Sequence, residues 1–544
     1  MKRREFLKRS GLGVITAWFS GCTENVDAVT PQKPAPVLSN DPNKMPAQSQ
    51  AVLKEKPKRP NILYIMGDDH ATGAVSCYGG LLSKVAKTPN IDRIAAEGAR
   101  LEDCFVTNSL GVPSKGTILT GQYSHTNGIY ATPDKISPKK KHVATLLQES
   151  GYYTAIIGKW QLKTQPSGFD YYNVLPCQGD AFHPFMKEKG KYYWQDGKRG
   201  GTIQPKHATL VITRTAIEHL KKLKQDKPFF LMCNFNSPHA DWLAPRRIMR
   251  EKRYENIHVP EPANLLDGYQ NRSKAAQGTN AKLERILFNK HLHNHKPKEL
   301  LGMDKNQGRK YIYQKFISSY LQCVMGIDEN VGKLLDCLDE LGLAENTIVI
   351  YTSENGHFNG EHGYYDKRFM YEESLRVPFV IRYPKEIKPG SVNKDMIINA
   401  DFAPLFLDYA GLERPKNMQG KSFRPNLVGK TPPDWRKSMY YRYWMNMAKH
   451  KIPAHYGVRT QRYKLIFYYG LSLQIRGARS SRITPEWELF DLQKDPGEMK
   501  NLYNDPDYAQ VVKNLKVELL RLKAELGDND LKNREMIKVI QKYW

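Results

Sequence analysis

Cysteine is scarce in this 544-residue sequence: seven in all, scattered, with no CxxC pair and no zinc-ligand spacing. That excludes a zinc-ribbon or zinc-finger protein and a scaffold built on closely spaced disulfides. Cys77, Cys104, Cys177, Cys233, Cys323 and Cys337 read mostly as small buried apolar residues, with pairing of some left open in an oxidising compartment. No helix-turn-helix, zinc-finger or RNP-like pattern is present, so nucleic acid is not expected as a partner. No internal repeat is present either. Acidic residues are in deficit, 56 Asp+Glu against 83 Lys+Arg, for a formal charge of +27. That excess favours a polyanionic partner such as an acidic polysaccharide or an anionic membrane; a basic surface kept for solubility is the plainer alternative. Hydrophobic content of 40% and charged content of 26% are ordinary for a globular chain long enough for a large core and a smaller second domain.

The first 22 residues read as an export signal. Arg3-Arg4-Glu5-Phe6-Leu7-Lys8 matches the twin-arginine type, and the apolar stretch from Gly11 to Phe19 is too short to span a bilayer. Phe19-Ser20-Gly21-Cys22 resembles a lipobox with Cys22 as the lipidated residue; an ordinary cleaved signal with an incidental Cys22 is the alternative. The expected place is therefore the periplasm or cell envelope, with contact to membrane only through that anchor. Residues 23–58 are rich in Pro, Ala, Lys and Asn without hydrophobic period and read as a disordered linker.

From Arg59 onward short apolar runs alternate with helical stretches, the pattern of an α/β fold with a largely parallel sheet. Asn61 to Met66, Tyr153 to Ile157, Phe229 to Asn234 and Thr347 to Tyr351 read as strands; Lys139 to Gly151 and Ile317 to Gly342 read as helices. The segment from Ile248 to Tyr311 reads as a basic, irregular insertion, with His291, His293 and His295 exposed rather than metal-binding. Residues 431–544 differ in kind. Tyr456 to Thr460 with Tyr463 to Tyr469 form a hairpin, Trp487 to Leu492 adds a strand, and Ala509 to Leu526 is an amphipathic helix with Val512, Leu515, Leu519 and Leu522 on one face. The expected division is 59–430 for the main domain and 431–544 for a C-terminal α+β subdomain.

A polar cluster follows each of the four main strands: Asp68-Asp69, Lys159, His239, and Glu354-Asn355. Ligands of open α/β sheets bind outside the carboxyl ends of the strands, so the four clusters are expected to converge on one site. Arg59-Pro60-Asn61-Ile62 with Asp68-Asp69-His70, Pro113-Ser114, Leu119-Thr120-Gly121, Gly158-Lys159-Trp160, Ser237-Pro238-His239, Gly360-Glu361-His362-Gly363 and Asp366-Lys367-Arg368 together resemble the type I sulfatases, of the arylsulfatase and N-acetylglucosamine-6-sulfatase kind. The resemblance runs in order from about residue 59 to 527. It implies an alkaline-phosphatase-like sandwich: a large, mostly parallel sheet flanked by helices, plus a small C-terminal antiparallel sheet with a packed helix. It also implies hydrolysis of sulfate esters, a sulfated glycan as partner, and calcium held by Asp68, Asp69, Glu354 and Asn355. Lys115, Lys159, His239 and Lys367 fall at sulfate-binding and acid/base positions, with Gln161 and His362 on the substrate side.

Four positions depart from the family pattern. Gly111 stands where the cysteine or serine precursor of the formylglycine nucleophile belongs, Lys115 where arginine belongs, Gln161 where histidine is usual, and Glu354 where a metal-binding aspartate is expected. Formylglycine is built on a Cβ, which glycine lacks, so none is expected here, and Cys104 lies seven residues too early. Lys115 loses the planar fork of arginine. Gln161 cannot exchange a proton, and the longer Glu354 would shift or weaken the calcium site. The expectation is a sulfatase-fold protein that binds sulfated glycan without formylglycine chemistry. The alternatives are an active carbohydrate or aryl sulfatase, or a phosphoesterase, using another nucleophile such as Ser109, and a partner-binding protein that only inherits the fold.

Overall fold

The computed structural model describes residues 59–191, 194, 201–224, 226–287 and 297–544. The export signal, Cys22, the 23–58 linker and the three histidines at 291, 293 and 295 lie outside the described residues.

The strand Asn61–Gly67 is buried along its whole length and sits inside a ten-stranded sheet. It pairs in parallel with Phe229–Asn234 on one side and Thr347–Ser353 on the other. Tyr153–Lys159 and Tyr171–Leu175 continue the parallel core, while Phe379–Arg382 and Phe185–Glu188 join it antiparallel towards the edges. Side chains alternate across the strand: Ile62, Tyr64 and Met66 pack on one face and Leu63 and Ile65 on the other. The first face is covered by the helices Gly111–Thr120, Val143–Glu149 and Phe402–Tyr409, the second by Pro89–Ala96, Ala208–Leu220 and Lys305–Glu340. Both faces being dry explains why the central strands read as unbroken apolar runs.

The helix Lys305–Glu340 starts well before the expected Ile317. Its opening turns are polar, so their hydrophobic signal is weak, but Asp304 accepts from the Asn306 and Gln307 amides while Gln307 reaches back to the Asp304 amide. That reciprocal cap is what starts the helix, inside the stretch expected to be irregular. It ends as expected, with Gly342 in the left-handed conformation at φ 64°.

Residues 438–491 form a four-stranded antiparallel sheet in the order Ser438–Tyr443, His455–Thr460, Tyr463–Tyr468, Glu486–Asp491. The helix Ala509–Leu526 packs on it through Leu515, Leu519 and Leu522. Of the six cysteines in the described residues, four, Cys104, Cys233, Cys323 and Cys337, are buried.

Candidate active site

The strand ends bring their polar residues together. Carboxylate oxygens of Asp68 and Asp69 and a ring nitrogen of His239 lie within 4.8 Å of one another. Asp68 is held by its amide, which donates to the Ser237 carbonyl at 2.9 Å. Asp69 adopts φ 66°, a conformation rare for a side chain other than glycine. Tyr320, on the long helix, holds that turn in place: its hydroxyl donates to the Asp69 carbonyl at 2.8 Å and accepts from the Ala71 amide at 2.8 Å.

Each acid has a lysine. Lys159 pairs with Asp68, Lys367 with Asp69, and Lys115, on the helix Gly111–Thr120, with Glu354; Lys159 is also 4.0 Å from Glu354 Oε1. Lys115 lies 3.3 Å from Gln161 Oε1. These groups are almost fully buried, which sets the electrostatics. Burial alone would raise the Asp68 and Asp69 carboxyls, but Lys159 and His239 for the one, and Lys367 and His239 for the other, outweigh it and hold both below the ordinary carboxylate range. Burial pushes Lys159 and Lys115 down, the latter helped by the charge of Lys159. For Lys367, Asp69, Asp366 and Asp68 overcome burial and raise the ammonium. His239 keeps 23% of its side-chain surface open, yet the surrounding protein still pushes its imidazole down to about 4. Its Nδ1 faces the Ala240 carbonyl at 2.7 Å, which leaves Nε2 turned to Asp69 at 3.7 Å.

Two buried oxygens, Asp68 Oδ1 and Asn355 Oδ1, find no hydrogen-bond partner among the described residues. Orphaned oxygens beside two carboxylates form a donor set of the kind a hard divalent cation takes.

Gly111 is the first residue of the helix Gly111–Thr120, all of which is buried. Ser109, just before it, is fully buried, and its hydroxyl donates to the Ser374 carbonyl at 2.9 Å. Cys104 is enclosed in the core, where burial raises its thiol well above the ordinary range.

His362 does not join the cluster, contrary to the sequence-based expectation that it meets substrate. Its ring is fully buried, with Nδ1 2.9 Å from Arg272 Nη1 and 3.1 Å from Asp267 Oδ2, both in the 248–311 segment. Conversely, Gln178 was not anticipated. It follows the strand Tyr171–Leu175 and reaches both Lys159, at 2.6 Å, and Asp68, at 3.0 Å. The rule that found the other clusters would have found it, had that fifth strand been recognised. Gln178 and His239 open onto a cavity of about 530 Å³ also lined by Asp180, Phe182, Phe185, Asn236 and Asp241. Rings, carboxylates and carboxamides around an open cavity suit a hydroxyl-rich ligand.

The comparisons with known proteins agree with this arrangement. A family model described as Sulfatase matches residues 60–412, and one described as N-sulphoglucosamine sulphohydrolase, C-terminal, matches residues 360–525. An N-acetylglucosamine-6-O-sulfatase of Bacteroides thetaiotaomicron is 39% identical over 528 residues, covering 89% of this chain and 90% of the relative. The human N-acetylglucosamine-6-sulfatase is 26% identical over 408 residues, 71% of this chain and 67% of its own. A solved structure in complex with its substrate, D-glucosamine-2-N,6-O-disulfate, is 38% identical and superposes with a TM-score of 0.78 over 88% of this chain and 100% of that one. Strand ends that gather acids, lysines and a histidine, a fold shared over nearly nine-tenths of its length, and a family match across most of the sequence lead to one conclusion: this chain belongs to the sulfatase family.

Proposed function

We propose that this chain binds a sulfated glycan, of the 6-O-sulfated glucosamine class, without hydrolysing it by formylglycine chemistry. The observation that carries the reading is Gly111 itself. It begins the helix at the floor of a site that retains Lys115, Lys159, His239 and Lys367, yet it has no Cβ on which an aldehyde hydrate could be formed. The lysines supply charge for the sulfate group, and the cavity beside His239 has room for the sugar ring. The glucosamine class is suggested by the relative at 39% identity and by the disulfated glucosamine bound in the structure at 38%.

Asp68, Asp69 and Asn355 would hold calcium, which when bound would neutralise the acids and attract the sulfate oxygens; Glu354 is instead paired with Lys115. The residues of the chain do the rest. Lys159 and Lys367 orient the sulfate group, and His239, neutral at physiological pH with its Nδ1–H given to the Ala240 carbonyl, presents Nε2 as an acceptor for a sugar hydroxyl. With no nucleophile placed behind sulfur, the complex stops at binding. The basic balance of the whole chain and the signal-like N-terminus fit export to the cell envelope, with Cys22 as an anchor, where extracellular glycans are met.

Calorimetric titration of a 6-O-sulfated glucosamine oligosaccharide tests the reading. It predicts binding at low salt that weakens with added salt, and at least tenfold weaker binding for Lys159→Ala. No binding at low salt would remove the proposal.

A further inference from the structure

Gly111 does not owe its identity to its backbone. It is the first residue of an α-helix and is not among the glycines with positive φ. With a negative φ in the first turn of a helix, its backbone conformation is one that alanine adopts freely, so the backbone gives no reason for glycine here. Two neighbouring side chains do. A Cβ built on Gly111 overlaps Glu354 Oε1 and stands 3.3 Å from Glu354 Cδ and 3.0 Å from Gln161 Oε1.

A carboxylate at the end of a flexible side chain would ordinarily swing aside, but this one is held. Glu354 is 1% exposed. Its Oε2 is paired with Lys115, its Oε1 lies 3.4 Å from Asn355 Nδ2 and 4.0 Å from Lys159 Nζ, and its carbonyl accepts from Ser114 Oγ at 2.5 Å. Moving it breaks a buried ion pair, which is costly. The residues involved, 111, 115, 161 and 354, are the four that depart from the family pattern.

We infer that Gly111 and Glu354 are a matched pair: the Glu354 carboxylate, one methylene longer than the aspartate expected there, occupies the space of the missing nucleophile's side chain and is held there by Lys115. The reactive end of the site is thus filled by an anion belonging to the protein itself. The loss of the nucleophile is built into the packing, and a side chain cannot return to position 111 while Glu354 remains. That the filled space is the reactive end rests on the function proposed above; the packing does not.

The test is a thermal-melting cycle on the full chain with Gly111→Ala, Glu354→Asp and the two combined. The matched pair predicts that Gly111→Ala lowers Tm by several degrees, or prevents folding, beside Glu354, but leaves Tm unchanged or raised in the Glu354→Asp background. Equal shifts in both backgrounds overturn it. Should Glu354→Asp itself fail to fold, Glu354→Ala, which removes the carboxylate altogether, replaces it in the cycle with the same expected and contrary results. The glycan titration separates this inference from the function. Binding without Tm coupling overturns the pair alone, and coupling without binding overturns the function alone.

Discussion

Buried acids and lysines in alternation make each residue of the site depend on its neighbours. Asp68 and Asp69 stay ionised because Lys159, Lys367 and His239 outweigh the cost of burial; of the lysines, only Lys367 is raised by its acids, while burial pushes Lys159 and Lys115 down. A divalent cation settling on Asp68, Asp69 and Asn355 would satisfy the orphaned oxygens Asp68 Oδ1 and Asn355 Oδ1. Calcium should therefore stabilise the fold. At one hundred times its Kd the gain is about 2.7 kcal/mol, read as a rise in Tm that chelator reverses and that Asp68→Asn abolishes. A melting curve indifferent to calcium would argue that the acids serve only as partners of the lysines. Most of these residues were legible as polar groups after apolar strands. What a one-dimensional reading could not supply is distance: that Glu354 reaches into the space above Gly111, or that the motif histidine His362 is spent on Asp267 and Arg272.

The elements that carry the site are held by ordinary local chemistry. The helix Lys305–Glu340 anchors the Asp69 turn through Tyr320, and it begins with the Asp304–Gln307 cap. Asp304→Ala removes the acceptor for two amides and should cost about 1 kcal/mol, measured as a lower urea midpoint with an unchanged m-value. An unaltered midpoint would mean that the first turns of that helix contribute nothing to the global transition. Central strands were readable because both faces are dry and most of their residues are apolar. The start of this helix was not, since its first turns are polar and only the cap marks them. Ser438–Tyr443 was missed for a related reason: tyrosines and Arg442, all buried, fill a strand that carries no aliphatic run.

For the molecule as a whole, pH sensitivity follows from histidines enclosed in the core. Burial pushes His70 down to about 3 and His142, His207 and His455 to about 4, from an ordinary 6.5. Below pH 6.5 the unfolded chain takes up these protons and the folded one does not, so stability is full above that value and falls as the pH drops towards 4. Each such histidine costs about 1.4 kcal/mol per pH unit in that window. Melting temperatures should decline from about pH 6.5 downward, before carboxylates titrate; a flat profile to pH 5 would contradict the assignment. The fold class and its two sheets were readable at this scale because layer pattern and strand composition are properties of long stretches. The missing Cβ at Gly111 was readable too; that the Glu354 side chain fills its place was not, because that is a matter of distance.

The most direct test is the release of inorganic sulfate from N-acetylglucosamine-6-sulfate by the purified natural chain in calcium. None should appear above the blank, because nothing at position 111 can attack sulfur. Sustained turnover at an enzymatic rate, about 1 s⁻¹ or faster, would contradict it and require another nucleophile.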